Sequence, residues 1–110
     1  MRIAHFTTKY ISGEPVIVER STYVANGHTA LLLFSEHGEP LCTATVNLPQ
    51  PVMLQADEVL IKDWSENEGV MQALIDAGVI GPVMDSHGTG FVYATRHKLL
   101  VDLPTANGGE

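Results

Sequence analysis

The sequence contains one cysteine, Cys42, among its 110 residues. A single thiol cannot form an intramolecular disulfide or supply a cysteine-rich zinc site, so both kinds of framework are excluded. Cys42 also lies among strand-forming residues, and a reactive thiolate needs an electropositive, partly exposed setting. We therefore predict that Cys42 is a small buried side chain rather than a nucleophile.

Basic residues are also scarce, with six Lys and Arg against 13 Asp and Glu and a net charge of −7. They are scattered along the chain, and only Arg96 and Lys98 lie close together. Because each phosphate contact requires a fixed cation, the sequence predicts no direct binding of nucleic acid. The acidic balance favours a protein partner with a basic surface instead.

Long apolar runs are absent, and the longest are as short as residues 30–34. A membrane-spanning helix needs about 20 apolar residues, and the first ten residues, MRIAHFTTKY, lack the apolar segment of a secretory signal. We therefore expect no membrane association and a cytoplasmic location. A composition of 45% apolar and 17% charged residues is typical of a globular domain rather than a disordered chain.

Turn-forming residues divide much of the sequence into short segments rich in β-branched and aromatic residues. We predict strands over residues 2–8, 16–23, 29–35, 41–48, 58–62, 83–86 and 90–95. Asn26-Gly27 is typical of a type I′ β-turn, since both central residues of that turn need a positive φ.

One helical pattern follows the fifth predicted strand. Apolar residues recur at helical spacing, at Val70, Leu74 and Ala77. Ser65 and Glu68 have the spacing of a capping box, Asp63 is an alternative cap, and Gly78 suits a helix end. These features predict a helix over about residues 66–77.

The order of these elements predicts an α+β fold, in which a curved antiparallel sheet of five to seven short strands carries the single helix on one face. Residues 1–103 are expected to form one domain. Residues 104–110 are rich in glycine and polar side chains, and we predict a flexible tail.

The segment DSHGTGF places Asp85, Ser86 and His87 together, and these residue types form hydrolase triads. It resembles the His-Gly-Thr run around the triad histidine of subtilisin-like proteases. No serine follows His87, however, and the next residues favour a strand rather than the helix of those enzymes. We predict a hairpin tip that exposes His87, with Phe91 and Tyr93 anchoring it to the sheet. A small ligand-binding or hydrolytic protein using Asp85, Ser86 and His87 is an alternative.

The spacing of the histidines predicts no metal site or cofactor. Neither His-x-x-x-His nor His-Glu-x-x-His occurs. His28 and His37 lie at opposite ends of one predicted strand, and His5 and His97 could approach only if the terminal strands pair. No glycine-rich phosphate-binding loop is present either.

Acidic residues concentrate between residues 57 and 76, around the single tryptophan. The predicted partner-binding residues are Asp57, Glu58, Asp63, Trp64, Glu66 and Glu68. Tryptophan is enriched at binding hot spots, and carboxylates complement a basic partner. In the alternative interpretation, Trp64 packs inward as a lid on the core and the carboxylates are merely solvated.

Four segments occur together in order: NGHTALLL at 26–33, EHGEP at 36–40, ATVNLP at 44–49 and TGFVY at 89–93. In these segments the chain resembles a small uncharacterised family, a domain of unknown function carried by plasmids, conjugative elements and phages. The resemblance implies no known activity, but it implies an accessory protein of mobile DNA. Small acidic proteins in that setting often inhibit host defence, including CRISPR and restriction systems.

The sequence therefore predicts a protein without catalytic residues that acts by binding another protein. An inhibitor of the anti-CRISPR or anti-restriction type is the expected role. A structural homodimer formed through an exposed sheet edge is a further alternative.

Overall fold

The computed structural model describes residues 1–48 and 52–106. Within these residues it contains seven strands, one α-helix and a short 3₁₀ turn at Ser65–Asn67. The strands are β1 (Arg2–Phe6), β2 (Glu14–Thr22), β3 (Thr29–Ser35), β4 (Pro40–Thr43), β5 (Glu58–Ile61), β6 (Asp85–Gly88) and β7 (Tyr93–Lys98), and α1 spans Val70–Asp76. No helix in this part of the chain is long and apolar enough to cross a membrane.

The strands form two antiparallel sheets, one in the order β1-β2-β3-β4 and one in the order β5-β7-β6. The predicted α+β class is confirmed in broad terms, but the prediction of one curved sheet is wrong. The division arises just after β4, where the backbone stops pairing with β3 and begins to pair with β5. The Ala44 N–H still donates to Leu31, whereas the Val46 N–H donates to Leu60. A single antiparallel bridge between Thr45 and Ile61 joins the two sheets there.

Alternation along the strands produces the main core, because successive side chains of a strand point to opposite faces. Its buried members include Val16 and Val18 from β2 and Leu31 and Leu33 from β3, packed with the Leu74 side chain of α1. A smaller cluster involves the opposite face of the three-stranded sheet. It consists of Leu48, Leu60 and Ala94, with Val46, Val52, Leu54 and Trp64 packed against it.

The helix is shorter than the predicted range of residues 66–77, because the backbone ahead of α1 is left-handed at two positions. Ser65 has a φ of 58° and Gly69 a φ of 97°, and a right-handed helix cannot continue through such residues. Glycine suits the second position for a steric reason as well. A Cβ on Gly69 would lie 3.1 Å from the Cα of Thr8.

Asp63, rather than Ser65, supplies the side-chain cap of α1. Its Oδ1 accepts hydrogen bonds from the N–H groups of Gly69 at 3.1 Å and Met71 at 2.8 Å. Both are among the first N–H groups of the helix, which have no hydrogen-bond partner within the helix. The predicted capping box is absent, since the helix begins after Glu68.

The first residues of the predicted tail lie along β2. The Arg20 N–H donates to the Pro104 carbonyl at 3.0 Å, and the Ala106 N–H donates to the Arg20 carbonyl at 2.8 Å. These bonds form a parallel bridge between Arg20 and Thr105. The rest of the predicted tail, residues 107–110, lies outside the described residues.

Candidate functional site

Most carboxylates of the predicted partner-binding segment are paired with cations of the same chain. The pairs are Asp57–Lys98 at 3.0 Å, Glu58–Arg96 at 3.2 Å, Glu66–Lys62 at 2.6 Å and Glu68–Lys9 at 3.4 Å. The remaining carboxylate, Asp63, caps α1. The segment therefore presents a largely balanced charge to a partner.

The pairing lowers the pKa of two of these carboxylates, Glu66 and Asp57. The hydrogen bond from Lys62 lowers the pKa of Glu66 from 4.5 to about 2. The hydrogen bond from Lys98 likewise lowers the pKa of Asp57. Both pairs lie at the surface, where solvent screens the attraction and an ion pair contributes little to stability.

Trp64 is half-buried and packs against the small cluster of Leu60 and Ala94. The Lys62 Nζ lies 6.0 Å from the centre of its ring. This is the inward-packed arrangement that the sequence left open as the alternative. Trp64 thus contributes to the fold, whatever it contributes to binding.

A row of charged side chains crosses the three-stranded sheet on the face of that small cluster. Arg96 on β7 is central: its Nη2 and Nε lie 2.7 Å and 3.0 Å from the two carboxylate oxygens of Asp85 on β6. Its Nη1 lies 3.2 Å from the buried carboxylate of Glu58 on β5. The hydrogen bond from Arg96 lowers the pKa of Asp85. The row joins all three strands. Asp85 therefore has a structural role as the ion-pair partner of Arg96.

The alternative hydrolytic site is only partly assembled. His87 Nε2 lies 3.0 Å from Asp85 Oδ1 on the same face of β6. Ser86 lies between them in the strand, so its side chain points to the opposite face. No hydrogen bond joins Ser86 to His87 in the described part of the chain. The predicted position of His87 at a hairpin tip is wrong, since it lies within β6 and is half-buried.

The true tip of this hairpin is residues 89–92, where the Thr89 N–H donates to the Val92 carbonyl at 2.8 Å. Phe91 is fully exposed there, with 105% relative accessibility. The expectation that Phe91 anchors the hairpin is therefore wrong. Tyr93 is 67% exposed and lies over Gly88, where an added Cβ would be 3.6 Å from its ring.

Two further exposed apolar side chains, Val83 and Met84, enter β6 at the other end of this hairpin. We call Val83, Met84, Phe91 and Tyr93 the apolar hairpin. Sequence reasoning missed it because Phe91 and Tyr93 read equally well as core residues. The available signal was the placement of Phe91 directly after Gly90, in a turn rather than a strand.

The histidines do not converge. His97 is fully buried on β7, where Nδ1 donates to the Gly81 carbonyl at 2.9 Å and Nε2 lies 2.7 Å from Thr95 Oγ1. His5 lies on β1 of the other sheet. Among the described residues, no group of three or more His, Cys, Asp and Glu side chains is placed to hold a metal ion.

Cys42 lies on β4 and is half-buried rather than fully buried. Burial raises the pKa of its thiol, and the nearby charge of Glu66 raises it further. A raised pKa keeps the thiol protonated and so less nucleophilic. This agrees with the expected structural role.

No protein-family model, curated protein or solved structure matches the chain significantly. The resemblance to a family of mobile genetic elements stays a prediction.

Proposed function

We propose that this chain is a non-enzymatic protein that binds another protein through the apolar hairpin. The observation that carries the proposal is the complete exposure of Phe91 in the turn between β6 and β7. Scattered apolar residues are normal on a surface, but a fully exposed Phe and a largely exposed Tyr two residues apart at one end of a hairpin form a candidate interaction surface.

The geometry of the tip suits insertion into a pocket of a partner. Burying a Phe side chain contributes about 1.5–3 kcal/mol, and aromatic residues are common binding anchors. Gly90, with a φ of 88°, allows the tight turn that presents Phe91. The strand pairing between β6 and β7 holds the base of the hairpin, so little order would have to be gained on binding.

The acidic segment is the second candidate contact, because Trp64 is still partly exposed and Glu66 and Glu68 lie at the surface. The two candidates differ in how salt should affect binding. Contact with a basic partner through carboxylates weakens steeply as salt rises. Contact through Phe91 and Tyr93 survives salt, since apolar burial does not depend on charge.

Affinity capture from a lysate of the host cell, with the captured proteins identified by mass spectrometry, compares three variants with the wild type. Phe91→Ser removes the proposed anchor. Val24→Ser is the matched control, since Val24 is also highly exposed but lies in the loop between β2 and β3. Glu66→Lys combined with Glu68→Lys reverses charge in the acidic segment.

We expect the wild type and Val24→Ser to capture the same protein, and Phe91→Ser to lose it. Capture by the wild type should persist in about 1 M salt, where charge interactions are screened beyond about 3 Å. Capture that survives Phe91→Ser but disappears with the charge reversal would assign binding to the acidic segment. Capture that all three variants retain contradicts both contacts.

The remaining parts of the proposed role rest on the family resemblance alone. They are the origin in mobile DNA and the inhibition of a host defence system, whereas the expected cytoplasmic location rests on the short apolar runs and the first ten residues of the sequence. The homodimer alternative has a specific feature in its favour, because β6 is the outer strand of its sheet. Size-exclusion chromatography of the wild type tests it, since elution at the mass of one 11.9 kDa chain would exclude a stable dimer.

A further inference from the structure

A cavity of about 310 Å³ lies between β2, the turn before β5 and the chain after β7. The turn at residues 89–92 is at the opposite end of β7. It is lined by Arg20, Ala56, Asp57, Leu99, Leu100, Val101 and Asp102. Its volume lies at the lower end of small-molecule sites, which begin at about 300 Å³. Only a small ligand would fill it.

Arg20 is the cation in this cavity, and its charge is not balanced within the described chain. Each of the other five cations forms an ion pair with a carboxylate. Arg20 forms none among residues 1–48 and 52–106, although acidic residues outnumber basic ones by 13 to six. A half-buried guanidinium with five N–H donors and a single side-chain partner among the described residues is suited to bind an oxyanion.

The position of Arg20 is fixed by hydrogen bonds on several sides. Its backbone N–H and carbonyl bond to Pro104 and Ala106. Its Nη2 donates to Thr29 Oγ1 at 3.3 Å, and that hydroxyl donates to the Ala56 carbonyl at 3.2 Å. The bond to Thr29 orients the guanidinium before any ligand arrives, which lowers the entropy cost of binding.

The carboxylates of the cavity limit the charge of the ligand. Asp57 is already neutralised by Lys98 at 3.0 Å, whereas Asp102 has no cation partner in the described residues. One positive and one negative group therefore remain, beside the apolar side chains of Leu100 and Val101. A dianion such as phosphate would be attracted by Arg20 but repelled by Asp102.

We propose that this cavity binds a free α-amino acid with an aliphatic side chain. Its carboxylate would pair with Arg20, its ammonium with Asp102, and its side chain would cover Leu100 and Val101. This inference does not depend on the apolar hairpin or on the proposed partner.

Titration of the ¹⁵N-labelled protein with L-leucine, followed by NMR, tests the site. We expect saturable shifts at residues 20, 56–57 and 99–102. Two analogues separate the charges: 4-methylpentanoate lacks the ammonium, and 3-methylbutylamine lacks the carboxylate. Each should bind about tenfold or more weakly than leucine, because each leaves one charged group of the cavity unpaired. Inorganic phosphate should bind more weakly still.

Arg20→Gln should weaken leucine binding about tenfold or more, since it removes a charged hydrogen-bonding group. Arg2→Gln is the matched control, because Arg2 lies on β1 and pairs with Glu36; its affinity for leucine should equal that of the wild type. Asp102→Asn should weaken binding of leucine but not of 4-methylpentanoate. Phe91→Ser should bind leucine normally, so failure of the proposed function is distinguishable from failure here.

The absence of saturable shifts with leucine would overturn the proposal. So would equal binding of leucine and 4-methylpentanoate, tighter binding of phosphate, or an unchanged affinity in Arg20→Gln. If Arg20→Gln does not fold, the exposed Asp102 decides, and an unchanged leucine affinity in Asp102→Asn excludes the site.

Discussion

At the scale of single residues, pairing within the chain determines which charges a partner can meet. The predicted acidic surface consists of real carboxylates, but Lys9, Lys62 and Lys98 lie against three of them. Lys62 and Glu66 are four residues apart, so their pairing is a local contact. Sequence order could not place Lys9 or Lys98 beside the segment, because those contacts come from β-strand and loop packing.

The Lys62–Glu66 pair makes a pH-dependent prediction. Its hydrogen bond lowers the pKa of Glu66 from 4.5 to about 2 in the folded protein. The pair therefore stabilises the fold above about pH 4.5, and this contribution is lost as the pH falls toward about 2. Lys62→Gln should return the pKa of Glu66 toward 4.5, as measured from the side-chain carboxyl ¹³C shift during a pH titration.

Lys9→Gln serves as the control for that titration, since Lys9 pairs with Glu68 rather than Glu66. It should leave the Glu66 titration unchanged. A Glu66 pKa that stays near 2 in Lys62→Gln would show that Lys62 is not the cause.

At the scale of elements, the helix start depends on Asp63, which sequence analysis named both as a partner contact and as an alternative cap. Asp63 Oδ1 accepts from two N–H groups at the start of α1. Asp63→Ala should lower the free energy of unfolding by about 1 kcal/mol, the usual cost of losing such a cap. Urea denaturation measures this change.

Asp63→Asn should cost less than Asp63→Ala, because the amide oxygen can still accept these hydrogen bonds. Asp76→Ala is the control at the other end of α1, where the Asp76 side chain is exposed and bonds only with Gln72 among the described residues. We expect it to change stability little. Equal stability of wild type and Asp63→Ala would contradict the capping role.

Local sequence patterns predicted elements well where local forces dominate. β3 lies at the predicted residues 29–35, since its apolar run is bounded by turn residues on both sides. The Asn26-Gly27 turn was predicted less well. Gly27 has a φ of 74°, but Asn26 is not left-handed, so the turn is not type I′. The Asn26 side chain instead accepts a hydrogen bond from the His28 N–H and donates one to the Asn47 side chain.

Tertiary contacts determine which polar residues are buried and which apolar residues are exposed, and local patterns do not reveal them. His97 can be buried because its two ring nitrogens form hydrogen bonds with the Gly81 carbonyl and the Thr95 hydroxyl. Gly81 is 16 residues away in the sequence, so local patterns do not predict this contact. Phe91 is fully exposed because it lies in the turn between β6 and β7, where no opposing layer covers it. Alternation predicts which residues share a face, but not where the opposing layer ends.

At the scale of the whole molecule, the fold class followed from the order of the elements, while the division into two sheets did not. β5 pairs with β7 rather than with the preceding β4, and β6 joins the outer side of β7. This arrangement brings together Glu58, Arg96 and Asp85 from three separate strands. The candidate cavity around Arg20 is likewise formed only by distant segments, which is why no motif predicted it.

The end of the domain is a testable property of the same packing. A chain ending at residue 103 loses both backbone hydrogen bonds between Arg20 and residues 104–106. We expect its free energy of unfolding to fall by about 1–3 kcal/mol, and the Arg20 amide to exchange hydrogen faster. A chain ending at residue 106 keeps both bonds and is the control, measured by urea denaturation and hydrogen exchange. If the two chains are equally stable, residues 1–103 are a complete domain, and the bridge to β2 contributes nothing to it.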